Sequence, residues 1–384
     1  MKTVEPVVEV RDSIAAIPAR DWNRLTSGDP FLRHEFLHAL HETGCASADT
    51  GWAPRFLILR ENGALAGAMP LYLKTHSYGE YVFDWAWADA YQRHGLHYYP
   101  KLLNAVPFTP VSGPRLLAEH SEQRRLLLGA ALEFARESRA SSLHCLFPPP
   151  DEVTEMQECG LMLRHGVQFH WRNHGYADFD GFLATLNHDK RKKIKQERRH
   201  VRDAGINCEW FAGSAITDAL WVFFNRCYRE TYRQHHSTPY LNLDFFRAIG
   251  RTMPENILLI VAMRESKPVA ASLNIHSGQR LCGRYWGALE YHQALHFETC
   301  YYQPIEFCIA HSIASFEGGA QGKHKIARGL LPVETHSAHW LAHPQFAAAV
   351  EDFLQRESRG IAAYVDELGS HSPFKSGMDC DASQ

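Results

Sequence analysis

The chain has 384 residues, 45% hydrophobic and 12% aromatic, which is enough for two domains with sizeable cores. Its 40 basic and 43 acidic residues leave a formal charge of -3, so no global field marks a nucleic-acid or membrane binder, and anion recognition has to be local. Nine cysteines without a CxxC spacing argue against a disulfide framework or a zinc ribbon. The start, MKTVEPVVEVRDS, is acidic where a signal peptide is apolar, and ILLIVAM at 257–263 is too short to span a bilayer, so the expectation is a cytoplasmic protein without a membrane span.

In chain order, the first motif is His34-Glu35-Phe36-Leu37-His38, which fits the H-E-x-x-H zinc-hydrolase pattern. The longer His-x-x-Gly-x-x-His continuation fails, because His41 and Gly44 stand in each other's places. Leu32, Phe36 and Leu40 make the inward face and turn the histidines out, which leaves a zinc hydrolase as a remote alternative. RENGALAGAMPLYL, from Arg60, then returns in ungapped register as RESKPVAASLNIHS, from Arg264. Each copy follows an apolar run and holds turn formers, Asn62-Gly63 or Ser266-Lys267-Pro268, so each reads as a β-hairpin. Tyr98-Tyr99-Pro100 and Tyr301-Tyr302-Gln303-Pro304 recur at nearly the same spacing, each before a helix-compatible run, KLLNAV or IEFCIAHSI. The repeat predicts a duplicated domain. Residues 1–168 form the first copy, 169–368 the second with a basic opening helix, and 369–384 a disordered tail.

Each copy reads as mixed α/β: helices, an antiparallel hairpin, a further strand, a proline-started helix, another strand and a closing helix. Asp84 to Lys101, DWAWADAYQRHGLHYYPK, is too aromatic for a mobile loop and too polar for a core, which fits a ligand cleft between the halves or the packing of the halves on each other. In the second copy, Lys190 to Arg202 holds eight lysines and arginines against Glu197, with Ile194 and Val201 as a narrow apolar stripe. That helix either meets phosphates of tRNA or a carrier, or is a solvated helix between domains. A helix from Ala219 to His235, strands at 257–263, 269–276 and 280–287, a helix from Pro304 and a closing helix from Pro344 to Glu357 follow. From Phe316 to Trp340 the chain reads FEGGAQGKHKIARGLLPVETHSAHW, whose glycines and cations between two predicted strands read as an anion-binding loop.

Three segments carry a resemblance: NHDKRKKIKQERRHVRDAG, the proline helix with its FEGG strand, and Lys325-Ile326-Ala327-Arg328-Gly329-Leu330. They resemble the Fem-type peptidyltransferases and related predicted N-acyltransferases, which implies an α/β (mixed α+β) protein of two tandem GNAT-like domains, GNAT being the N-acetyltransferase fold. The resemblance implies transfer of an acyl or aminoacyl group to a small-molecule or peptide amine. The donor would be acyl-CoA, acyl carrier protein or aminoacyl-tRNA, with no tightly bound cofactor. The long helical-hairpin insertion of many tRNA-using members is absent from the sequence. So is the acetyl-CoA signature, since Arg284-Tyr-Trp-Gly287-Ala-Leu289 ends in leucine. A non-catalytic recognition module for a peptide or acylated carrier is the alternative.

N-acyl transfer needs a base, a polarised carbonyl and a held leaving group. Glu298, just before the proline helix, and Asp84, an acid among aromatics where a raised pKa is expected, are the candidate catalytic carboxylates. Free amides at a helix start on Pro304 would face a phosphate or an oxyanion. Gln321, Lys323, His324, Lys325 and Arg328 are the candidate donor binders, with Arg284, Trp286, Tyr302, Ser337, His339 and Lys101 as further walls. Cys300 reads as a packed thiol, and no metal ligands are assigned.

Overall fold

The computed structural model describes residues 5–319, 322–370 and 372–375. The chain divides into two units that are not sequential. The first comprises Met1–Gly166 with Glu334–Ala363, and the second Val167–Val333 with Tyr364–Gln384. Glu334–Ala363, placed with the second copy from sequence, thus belongs to the first unit. Its strand register explains this, because Ser337↔Leu146 through Leu341↔Ser142 pair antiparallel inside that unit. Among the described residues no helix is long and apolar enough to cross a membrane.

In the first unit Val7–Arg11, Phe56–Glu61, Ala64–Met69 and Leu117–Ala118 form an antiparallel sheet. A second sheet runs Leu331–Leu341, Ser142–Leu146, Lys101–Asn104, Tyr72–Lys74, Trp52–Pro54, with one parallel step at Leu102↔Leu143. The helix Ser121–Glu137 buries Leu127, Leu128, Ala131, Leu132 and Ala135, an i, i+3/i+4 stripe, in the core with Leu57, Leu102 and Leu143. In the second unit Ile206–Ala212, Ile257–Arg264, Lys267–His276, Arg280–Ala288 and Ser315–Glu317 follow in that order, and Ser315–Glu317 pairs next with His170 to Arg172. The helix Asp218–Gln234 buries Trp221, Phe223, Phe224, Cys227 and Tyr228.

Both repeat segments fold as β-hairpins with a bulge shortly before the turn, between Leu59 and Arg60 in one and between Ala262 and Met263 in the other. The turn residues differ from the ungapped alignment by one position. Asn62 and Gly63 have φ of 50° and 81°, and their counterparts are Glu265 and Ser266 at 49° and 60° rather than Ser266-Lys267-Pro268. Twist matching demands positive φ at both central residues of such a two-residue turn, so the backbone, not the local residue type, decides the register.

Two helix expectations change. KLLNAV is not helical: Lys101–Asn104 is a buried central strand after a cis Tyr99–Pro100 bond. Its apolar run suits a strand covered on both faces. Pro304 does not start its helix either, since Leu295–Phe297 leads through a π-helical turn, Glu298–Tyr302, into Gln303–Ala310. The wider turn removes the bond that proline cannot donate, so proline is tolerated inside and no free helix end lies there. The closing helix extends beyond Glu357, as Pro344–Ser370. Part of the expected tail is ordered: Phe374 bridges Leu186, and the Lys375 amide donates to the Thr185 carbonyl at 3.0 Å. Residues 371 and 376–384 lie outside the described residues.

The Glu265-Ser266 turn uses side chains that the left-handed region disfavours. Replacing it by Asn-Gly should raise stability by about 1 kcal/mol, read as a higher urea midpoint at unchanged m value.

Candidate active site

The basic helix His188–Asp203 starts on Asn187, whose side chain accepts from the Lys190 amide at 3.1 Å. It buries Ile194, Glu197 and Val201, so the inward stripe contains the acid that sequence reading left among the surface charges. Glu197 takes two 2.9 Å bonds from Arg328 Nη2 and a very short one from the Tyr302 hydroxyl. Arg328 Nη1 donates to the His324 carbonyl at 2.7 Å, and the guanidinium lies 3.5 Å over the Phe297 ring. Arg328, expected to fork a donor phosphate, is 3% exposed and turned inward on Glu197. The signal for Glu197 was its spacing, three residues after Ile194 and four before Val201.

Arg328 closes a short helical turn, Lys323–Arg328, that presents Lys325 and His324. Lys325 is buried, and its ammonium donates to the Gly319 carbonyl at 2.6 Å. Burial pushes its pKa down to about 8. A Cβ at Gly318 would stand 2.7 Å from Leu330 and 3.2 Å from Tyr301, so only glycine lets the strand end approach this lysine. His324 shares a 3.0 Å hydrogen bond with the Tyr301 hydroxyl, and burial, then Arg328 and Lys325, lower its pKa. Trp286 packs on His296, whose ring also meets Tyr301 and whose pKa falls to about 4 through burial and its cationic neighbours. Arg284 is the bulged residue of its strand, where pairing passes from Tyr285 to Gly283, and its guanidinium lies over Tyr285. Gln321 lies outside the described residues, as does the side chain of Lys323. Burial pushes the Cys300 thiol up to about 12, which fits a packed thiol.

Glu298, in the π-helical turn, is 5% exposed. Arg198 Nε donates to both its oxygens at 3.2 Å, while Arg198 Nη2 at 2.9 Å and Gln303 at 2.8 Å complete the set. Arg198 also bonds Glu306 at 2.7 Å and stacks 4.5 Å over Phe179. Beside it opens a cavity of about 380 Å³ lined by Lys195, Arg198, Arg199 and Arg202 together with Asp178, Asp180 and Glu306. Lys195 pairs with Asp180 at 3.1 Å, whereas Arg199 and Arg202 have no carboxylate partner among the described residues.

Asp84, Lys101, Ser337 and His339 come together in the first unit, as one buried network. Lys101 bonds Glu80 at 2.7 Å, Ser77 at 2.8 Å and, very closely, Asp84, which also accepts from Tyr98 at 2.6 Å. Burial alone would raise the Asp84 carboxyl, but Lys101 outweighs it and holds the group well below the usual carboxylate range. The raised pKa expected of Asp84 is therefore corrected, because the lysine was invisible at that spacing. His144 Nε2 lies 3.1 Å from Tyr98 and 2.8 Å from Ser142, its Nδ1 lies 2.7 Å from His339 Nδ1, and His339 Nε2 lies 2.8 Å from Ser337. The remaining aromatics of this region, Trp87, Tyr91 and Tyr98, belong to a core cluster with Leu341, Val350 and Leu354. His34 faces the Ile14 carbonyl at 3.0 Å, and Glu35 is held by Asn23 and Arg33, so the H-E-x-x-H residues are occupied with protein partners.

The chain matches the FemAB-like family, described as peptidoglycan biosynthesis/recognition, over residues 13–376. No curated protein matches it. FemX superposes at a TM-score of 0.56 and 11% identity over 91% of this chain and 100% of that one. The L-PGS of Bacillus licheniformis gives 0.57 and 8% over 90% and 99%. A tandem GNAT protein from the clavulanic acid biosynthesis pathway gives 0.47 and 12% over 88% and 99%. The fold is the mixed α/β one shared with FemX and that L-PGS.

Arg328→Met should destabilise the protein by about 3–5 kcal/mol, because it leaves the Glu197 carboxylate buried against a thioether. Chemical unfolding should show Glu197→Gln with Arg328→Met to be milder than the single change. Burial pushes the pKa of His144 down to about 3. A depressed histidine contributes stability that is present above its ordinary value, about 6.5, and lost as pH falls toward the folded one. Between about pH 6 and pH 4 the unfolding free energy should fall by about 1.4 kcal/mol per pH unit less in His144→Gln than in the wild type.

Proposed function

Because the chain belongs to the FemAB-like family of peptidoglycan biosynthesis/recognition, we propose that it is an acyltransferase that moves an acyl or aminoacyl group from an activated donor to an amine. The reaction centre of this reading is in the second unit, at Lys325. The observation that carries it is a buried lysine whose pKa is brought to about 8 by burial, held by a single carbonyl next to two glycines. A group that titrates near the working pH can both accept and return a proton. In the proposed step the amine nitrogen attacks the donor carbonyl carbon and forms the C–N bond. Neutral Lys325 takes the proton released from nitrogen and returns it to the departing sulfur or oxygen as the C–S or C–O bond breaks.

Arg199 and Arg202, in the cavity beside the basic helix, supply charge for the phosphates of the donor, whether acyl-CoA, acyl carrier protein or aminoacyl-tRNA. A peptide amine is the acceptor favoured by the family description. Glu298 acts in this reading as a positioning residue, since its oxygens already hold Arg198 and Gln303. The eight cysteines among the described residues are free thiols, which supports a reducing, cytoplasmic setting.

With each donor class and a fixed acceptor amine, wild-type kcat/KM should rise with pH and level off above about 8. Lys325→Met should lose about 100-fold or more in kcat and lose that limb, while KM for the donor changes little. Retention of the same limb at wild-type rate in the variant would remove Lys325 from the mechanism. Amide product from no donor class, with ligand binding intact, would instead favour a recognition module.

A further inference from the structure

The strand Leu331–Leu341 carries two different faces within the first unit. Ser337 and His339 turn to the buried network, and strand alternation puts Glu334 and His336 on the other side. There they meet His165 of the strand Met162–Arg172. His165 Nδ1 makes a very short contact with Glu334 Oε1, His336 Nε2 lies 3.7 Å from that oxygen, and the two imidazoles meet edge to face at 5.2 Å. The ligating atoms of all three lie within 4.8 Å of one another. Among the described residues this is the one group of three such side chains that converges in this way.

The surroundings favour a cation. Arg164, the nearest positive charge in sequence, turns to the opposite face, where it pairs with Glu357 at 2.8 Å and donates to the Phe83 carbonyl. Gly166 carries no side chain, and a Cβ there would come within 2.9 Å of Thr335. The two strand segments thus approach closely enough for their side chains to share a ligand. The side chain of Glu334 is 50% exposed, and those of His165 and His336 are 27% and 18% exposed, so an ion has access from solvent.

We propose that His165, Glu334 and His336 form a binding site for a divalent metal ion of the zinc class, with its remaining coordination positions open to water or a ligand. Two imidazole nitrogens and one carboxylate oxygen suit zinc, and suit magnesium or calcium poorly. Ligand atoms on a tetrahedral zinc stand about 3.3 Å apart. The 3.7 Å separation of His336 from Glu334 needs only a small contraction. The tighter His165–Glu334 contact opens as the ion replaces the shared proton, and the half-exposed carboxylate can rotate to allow it. The site lies in the first unit and owes nothing to the acyl-transfer reading.

Full-length, chelator-stripped protein titrated calorimetrically with zinc chloride should take up one equivalent, and its melting temperature should rise by several degrees at saturating zinc. His165→Ala, His336→Ala and Glu334→Gln should each weaken that uptake at least about tenfold, while a His34→Ala/His38→Ala control should keep it. Cobalt in place of zinc should give visible absorption that is lost with the same three variants. The site is refuted by an absence of stoichiometric uptake in the wild type, by uptake that survives all three variants, or by loss of uptake in the His34/His38 control. Magnesium bound as tightly as zinc would also overturn it, by reducing the site to a non-selective charge.

Discussion

The second unit's candidate site hangs on one buried ion pair, Glu197 with Arg328. Burying both charges is costly in itself, and the pair is tolerable only because its groups are nearly saturated. Both carboxylate oxygens are bonded, and the guanidinium has a carbonyl, two carboxylate contacts and an aromatic face. What the pair secures is geometry. It ties the basic helix to the turn that carries His324 and Lys325, and Tyr302 on the same carboxylate ties in the π-helical turn. The low pKa of Lys325 depends on its burial, and its burial depends on that turn staying closed.

The basic helix therefore divides its charges by depth. Glu197 faces inward, Arg198 is 19% exposed and neutralised by Glu298 and Glu306, and Arg199 and Arg202 line the open cavity. Screening by salt acts mainly on the outer layer, because buried pairs lie outside the reach of mobile ions. The same helix can thus be a fixed structural element on one side and a salt-sensitive anion surface on the other.

The hairpins, the Ser315–Glu317 strand and the helices His188–Asp203 and Asp218–Gln234 were legible because hydrophobic periodicity and turn chemistry are local. Lys101–Asn104 was misread since a short apolar run looks alike in a buried strand and in a helix, and its sheet neighbours come from distant parts of the chain. Pro304 misled for a related reason: proline marks a helix start only when nothing helical precedes it. Charge partners were the least legible. Asp84 and Lys101 stood in one motif without any sign that they touch, and Glu197 and Arg328 are joined across more than a hundred positions. His144, which links Tyr98 to His339, drew no attention because a histidine inside an apolar strand has no distinctive spacing.

Among the described residues Lys74, Lys101 and Lys325 are buried, and the last two show how contacts rather than burial alone decide chemical use. For Lys101 burial would lower the pKa, but Glu80 and Asp84 outweigh it and raise the value, so its ammonium is locked on and serves to compensate charge. Lys325 is nearly as buried, yet its hydrogen-bond partner is a neutral carbonyl, and its pKa moves the other way. A proton shared with a carboxylate is stabilised in place, whereas one held by a dipole alone can leave when a better acceptor enters. Of the described cations that sequence pattern marks as binders, Lys325 consequently has surroundings that suit proton transfer, whereas Lys101 and Arg328 are held on carboxylates as scaffold.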